Sequence, residues 1–239
     1  MNFSSPLNFL IKGAKTIGAG AQGIFCATPK TLVWTGVALT ASCLAWRVLS
    51  DYYTLPCPAF ISRMVEMENP FFRSARASVI VGHLNIQSQL HALEIGCGPG
   101  RVTLPLAEAL ASKNGTLTVM DTQQAMLDKN STKVKNAGLE NVIFKKVTLG
   151  KDSIEKDLYD RVLLVNMFGE IPKKARLQSL KTIHQALKSG GILSISELIC
   201  DPHFQTQSQV LRLAEEAGFQ LHAKFGWWPS YTIHLIKKS

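Results

Sequence analysis

Leu93-Glu94-Ile95-Gly96-Cys97-Gly98-Pro99-Gly100-Arg101 is the stretch on which the reading of this chain turns. His91 to Ile95 is a short apolar run of strand length, and glycines follow at 96, 98 and 100. Glycine permits a tight turn and lets backbone N–H groups approach a ligand closely. Val102 to Ala111 then reads as a helix with Leu104, Leu106 and Leu110 on one face. A strand that enters a helix through such a turn opens an α/β domain with a ligand at the turn. A dinucleotide fingerprint would carry its third glycine at position 101, where this chain has Arg101. That weakens a reading as an NAD or FAD site.

Outward from the turn, strands and helices alternate. Thr116 to Met120 is a strand ending at Asp121, Gln123 to Ala137 a helix, and Asn141 to Val147 a third strand. Arg161 to Val165 is a fourth strand, Lys173 to Leu187 a helix ended by Ser189-Gly190-Gly191, and Ile192 to Ser196 a fifth strand. Gln207 to Ala217 is a helix; Gln220 to Lys224 and Tyr231 to Ile236 are two last strands. This alternation predicts a Rossmann-like α/β fold: a seven-stranded, mostly parallel sheet with helices on both faces. The loop Phe225 to Ser230 is too short for a parallel crossover, so the last two strands pair antiparallel at the sheet edge.

Leu93 to Arg101 resembles the first motif of the class I S-adenosylmethionine-dependent methyltransferases. Val119-Met120-Asp121-Thr122 resembles their second-strand motif, Tyr159 to Val165 their fourth strand, and Leu187 to Leu193 the turn before their fifth. The resemblance covers residues 90–239 and implies S-adenosylmethionine as cofactor. It implies that Glu94 orients the turn and contacts the methionine end, that the backbone of Gly96, Cys97 and Gly98 faces the same moiety, and that Gly100 lets the helix approach. By the same resemblance Asp121 accepts both ribose hydroxyls and Thr122 lies against the adenine. Val147 and Thr148 fall where the family often has an Asp near the adenine amine; backbone groups there, or Asp152, take that role. Asn166, after the fourth strand, is placed to touch cofactor or substrate.

A sulfonium methyl is already activated, so alignment supplies most of the effect. A base is needed only where the acceptor must lose a proton. Two weak candidates for such polar work are Glu170, otherwise a helix-start acid, and His203, otherwise an exposed loop histidine. No Asn-Pro-Pro-Tyr motif follows the fourth strand, where the residues are Asn166 to Glu170. The five cysteines, Cys26, Cys43, Cys57, Cys97 and Cys200, are scattered without CxxC spacing, which predicts free thiols and no metal site.

The rest of the chain differs in chemistry. Of 239 residues, 46% are apolar and only 18% charged, which excludes disorder and a disulfide scaffold. The net charge is +9, and no acid precedes Asp51. Thr31 to Trp46 is uncharged and flanked by Lys30 and Arg47; Leu32 to Tyr53, as a helix, would span about 33 Å. With Trp34 at one end and Trp46, Tyr52 and Tyr53 at the other, residues 1–50 read as an N-terminal membrane anchor or targeting segment. Residues 51–89 read as a helical connector or lid, with a helix from Phe71 to Leu84, and residues 90–239 as the methyltransferase domain.

The expectation is a membrane-attached methyltransferase acting on a small-molecule or lipid acceptor, such as a quinone precursor or phospholipid. The alternatives are a protein or RNA methyltransferase near the membrane, or a cofactor-binding assembly factor without turnover. The catalytic domain is expected on the cytosolic side, or else at the mitochondrial inner membrane. The lysine-rich surface, in which Lys129, Lys133, Lys145 and Arg176 are counted, reads as a solvated face or one drawn to anionic lipid; nucleic acid is not an expected partner. Trp227-Trp228 reads as edge packing or as an apolar substrate or membrane contact.

Overall fold

The computed structural model describes residues 29–53, 66–68 and 70–238. The chain divides into two compact units, residues 1–41 and 42–239. Helix α1 (Pro29–Tyr52) begins in the first. The second contains α2 (Ala77–His83), β1 (His91–Ile95), α3 (Thr103–Ala111), β2 (Thr116–Asp121), α4 (Gln124–Asn136), β3 (Val142–Lys146) and β4 (Tyr159–Val165). It continues with α5 (Lys173–Ala186), β5 (Leu187–Leu198), α6 (Gln207–Glu216), β6 (Phe219–Gly226) and β7 (Ser230–Lys237).

The strands form one seven-stranded sheet in the order β3-β2-β1-β4-β5-β7-β6. The pairs from β3 to β5 are parallel, and β7 is antiparallel to both β5 and β6. This is the expected Rossmann-like α/β sheet, and the last two strands do pair antiparallel. Of the two, β7 lies inside the sheet and β6 at its edge. Short β6–β7 connection permits this because β7 is the apolar strand, with Tyr231, Ile233 and Leu235 buried, while β6 alternates toward solvent.

Alternation along each strand divides the core. Leu93, Ile95, Val162, Leu164, Leu193, Ile195 and Ile233 meet α5 and α6 on one face through Leu180, Ile183, Val210 and Ala214. Ala92, Leu117, Val119 and Leu163 meet Leu106, Ala107 and Leu110 of α3 and Leu127 of α4 on the other. Helix α2 joins this second cluster through Ala77, Val81 and Leu84, so this part of the connector is packed onto the domain.

The structure corrects two boundaries. Residues 71–84 form no single helix: a 3-10 turn (Arg73–Ala75) is separated from α2 by Arg76, whose ψ of 141° is extended. Glu68 explains the break, because its carboxylate accepts the Ala77 N–H at 3.0 and 3.2 Å and caps α2 from outside. The Ser189-Gly190-Gly191 segment is no helix stop either. β5 begins at Leu187, paired with Tyr159, and the register shifts before Arg161 pairs with Ile192, so these residues form an irregularity inside a longer strand.

Among the described residues no helix is long and apolar enough to cross a membrane. The expected transmembrane helix is thus unsupported: Thr31, Thr35, Gly36, Thr40, Ser42 and Arg47 dilute the apolar run of α1. Residues 1–28 of the expected anchor or targeting segment, and residues 54–65 of the expected connector, lie outside the described residues.

Candidate functional site

The parallel strands end at one edge of the sheet, and β1 delivers the glycine turn there. The Gly96 N–H donates to Met120 O of β2 at 2.8 Å, which holds the turn against the neighbouring strand. Gly98 has φ +51°, a conformation that favours glycine, and a Cβ built on it would meet no atom within 4 Å. Its N–H donates to Asp121 Oδ2 at 3.0 Å, while Asp121 Oδ1 accepts the Gln123 N–H at 2.9 Å. Asp121 therefore ties the first turn to the second; Oδ2 also accepts from the Cys97 thiol at 3.8 Å, and Oδ1 keeps lone-pair capacity for a hydroxyl.

Behind the turn, Glu94 is buried and accepts from Thr103 Oγ1 at 2.6 Å; that hydroxyl accepts from Asn130 Nδ2 at 2.7 Å. Burial pushes the Glu94 carboxyl up to about 7, against the opposing effects of the Thr103 hydrogen bond and Arg101. Glu94 thus anchors the first turn of α3 and, through Thr103, the middle of α4 at Asn130. Burial also pushes the Cys97 thiol far above its ordinary value, with the charges of Glu94 and Asp121 adding to it. Cys97 is a buried small side chain of the turn. Lys133 donates to Pro99 O at 2.7 Å and pairs with Glu66 at 2.9 Å, so this lysine of the expected basic surface braces the turn.

On the far side of Asp121, the Val147 N–H donates to Asp121 O at 3.1 Å. The Thr148 N–H donates to Asp152 Oδ2 at 2.7 Å, and the Lys151 and Asp152 N–H groups return to Thr148 O. Asp152 closes this loop on itself. Thr122 lies beside Asp121, half-buried.

Beyond β4 the structure brings together residues that lie far apart in sequence. Asn166 has φ +51°, and its N–H donates to Ser196 O of β5 at 2.9 Å. The Met167 side chain lies against Gly96. Gly169 lies so close to the backbone of His203 that a Cβ there would clash with His203 O. Glu170 Oε1 is 3.8 Å from His203 Nδ1, and Asp201 Oδ1 is 3.6 Å from it. His203 is only 5% exposed, which corrects the alternative of an exposed loop histidine.

The reason is a network around the loop after β5. Arg176 donates to Ile171 O (2.8 Å), Gly169 O (3.1 Å) and Gln205 Oε1 (3.0 Å). Gln205 Nε2 donates to His203 O at 2.9 Å, and its N–H donates to Glu197 Oε2 at 3.1 Å. Tyr231 OH donates to Gln205 O at 2.7 Å. Arg176, counted with the basic surface from sequence, is 4% exposed and is the hub of this network. Burial raises Glu197 well above the usual carboxylate range and Asp201 to about 6.

Trp46 of α1 completes the group. Its indole Nε1–H donates to His203 Nε2 at 2.8 Å. Indole is a donor only, so Nε2 is the acceptor and the proton of the neutral imidazole sits on Nδ1, the side of Glu170 and Asp201. By its local sequence Trp46 reads as an interfacial aromatic; nothing local pairs positions 46 and 203. Trp227 and Trp228 are exposed rather than packed at the sheet edge.

Residues 92–191 match a family described as "Methyltransferase domain". The chain is 29% identical over 140 residues to carboxy-S-adenosyl-L-methionine synthase of Dichelobacter nodosus, covering 58% of this chain and 55% of that one. It is 30% identical over 114 residues to demethylmenaquinone methyltransferase of Staphylococcus epidermidis, covering 48% and 45%. The chain thus spans about half the length of these curated relatives. Among solved structures, a SAM-dependent methyltransferase from Aquifex aeolicus superposes with TM-score 0.66 at 17% identity, over 76% of this chain and 99% of that one. The N-methyltransferase NodS of Bradyrhizobium japonicum, solved with S-adenosyl-l-homocysteine, gives 0.60 at 16% identity, over 72% and 89%. Residues 92–191 are thus similar to a methyltransferase domain, and the sheet order is that of the fold shared with these solved methyltransferases.

Proposed function

We propose that this chain transfers a methyl group from S-adenosylmethionine to a small, lipophilic acceptor. The observation that carries the donor half is the Gly98–Asp121 pairing: an open approach to backbone at Gly98 beside a carboxylate whose two oxygens are already oriented by N–H groups. When bound, the donor supplies an activated methyl on a sulfonium. Gly96, Cys97 and Gly98 would line its amino-acid end, Asp121 its ribose, and Thr122, Val147 and Thr148 its adenine. Asn166, held in a left-handed conformation at the end of β4, would face donor or acceptor.

A relative named demethylmenaquinone methyltransferase supports a small apolar acceptor. Exposed Trp34, Val37, Val48 and Tyr52 on α1, with Tyr53 just after it, support attachment at a lipid surface, beside substrates that partition into it. We assign the catalytic domain to the cytosolic side of that surface. The test is to incubate the full chain with membranes and labelled methyl donor and to extract the lipids. Label in a low-molecular-weight, solvent-extractable product is the expected result; label only in protein or RNA overturns the acceptor class. Titration with S-adenosylhomocysteine by calorimetry checks the donor site separately, and absence of binding overturns the methyltransferase reading.

A further inference from the structure

We propose that His203 is the proton acceptor of the reaction, that the acceptor is an aromatic carrying a protic O–H or N–H, and that the Trp46 indole occupies the acceptor's place at His203 Nε2. This rests on the methyltransferase reading above and adds the acceptor's chemistry to it. The geometry has three parts. The first is the tautomer: a donor-only N–H at 2.8 Å leaves Nε2 with its lone pair directed at an aromatic X–H. The second lies on the other side of the ring, where the carboxylates of Glu170 and Asp201, at 3.8 and 3.6 Å, are placed to stabilise the imidazolium once Nε2 takes a proton. The third is rigidity. Arg176, Gln205, Glu197 and Tyr231 fix the loop carrying His203, and Gly169 admits its backbone to the end of β4, at the sheet edge that bears the glycine turn. A buried network of this size around one imidazole does more than hold a loop, because the same loop also presents Nε2 to a flat aromatic donor.

The step balances without a further reactant. As the acceptor's X–H proton passes to His203 Nε2, the X electron pair forms the bond to the methyl carbon. The carbon–sulfur bond breaks, its pair stays on sulfur, and a neutral thioether leaves. The imidazolium then returns its proton to solvent. Glu170 and Asp201 are positioning residues: they act through His203 and touch neither acceptor nor donor. Trp46 is a placeholder that the acceptor displaces.

The test uses the full chain, saturated with S-adenosylhomocysteine, and 4-nitrophenol as probe at a pH where the free phenol is protonated. The wild type is expected to bind the phenol and convert it to the coloured phenolate. His203→Gln is expected to lower the bound phenolate fraction by about tenfold or more, one unit of phenol pKa, with S-adenosylhomocysteine affinity unchanged. Trp46→Phe, which removes the competing N–H, is expected to bind the phenol several-fold tighter. Nitrogen-15 imidazole spectra of the wild type serve as a second measurement that needs no variant to fold: His203 is expected as the Nδ1–H tautomer, with Nε2 shifting in Trp46→Phe. A phenol that stays neutral or unbound on the wild type, equal ionisation on His203→Gln, or an Nε2–H tautomer each overturns the inference. Failure of the wild type to bind S-adenosylhomocysteine overturns instead the reading on which it rests.

Discussion

At Gly98 a positive φ and an open approach coincide, and this separates stability from binding. Gly98→Ala is expected to cost about 1 kcal/mol of stability, the usual penalty for an L side chain in the left-handed region. It should also place a methyl group where, on the proposed function, the donor's amino-acid end would lie. Thermal melting should therefore fall slightly, while affinity for S-adenosylhomocysteine falls by a much larger factor; equal losses would contradict the placement. Glu94 makes a prediction about pH. Its folded-state value is raised from 4.5 to about 7 by burial, so the folded chain keeps a proton that the unfolded chain releases. Stability from this group is full below about 4.5 and declines as pH rises toward 7, by a total on the order of 3 kcal/mol. Glu94→Gln, an isostere of the protonated acid, should come close to the wild type in denaturant midpoint at about pH 4 and exceed it at about pH 8. The comparison isolates Glu94 because Glu197 and Asp201, raised in the same direction, are present in both chains.

Among the elements, α2 shows what is invisible in a local pattern. Its apolar face, Ala77, Ile80, Val81 and Leu84, is legible at helical spacing, but its start is set by Glu68, nine residues before Ala77. Glu68→Ala should cost about 1 kcal/mol, as loss of a cap does, read as a lower denaturant midpoint at unchanged slope. The same contrast runs through the site. The residues of the proposed donor half, Glu94 to Gly100 and Asp121, are legible as a group because they end one strand with its turn and close the next, where spacing fixes geometry. Glu170 and His203 were visible only as separate weak candidates. Of their partners, Gln205 shares the loop of His203, while Trp46, Arg176 and Tyr231 come from three other segments that only the folded chain brings together. Arg176 illustrates the limit: in sequence it is one cation among neighbouring lysines, and in the fold it is buried because three acceptors converge on it.

At the scale of the whole molecule, the division at residues 41 and 42 is open to direct test. A chain beginning at Ser42 should unfold in one cooperative transition and bind S-adenosylhomocysteine as the full chain does; a broad transition or lost binding would count against two units. The charge boundary in the sequence, with every acid at or after Asp51, falls inside this second unit, at the end of α1. The order of strands has a last consequence, for synthesis. β7 is the latest strand in the chain, yet it lies between β5 and β6. While the ribosome is still extending the chain, β1 to β5 are assembled with one side of β5 bare, a long apolar template for wrongly paired neighbours. The nascent protein is therefore most exposed to aggregation in the interval before Ser230 to Lys237 emerges and slots home, and premature termination in that interval would yield insoluble chains even though every residue of the proposed donor site had already been made.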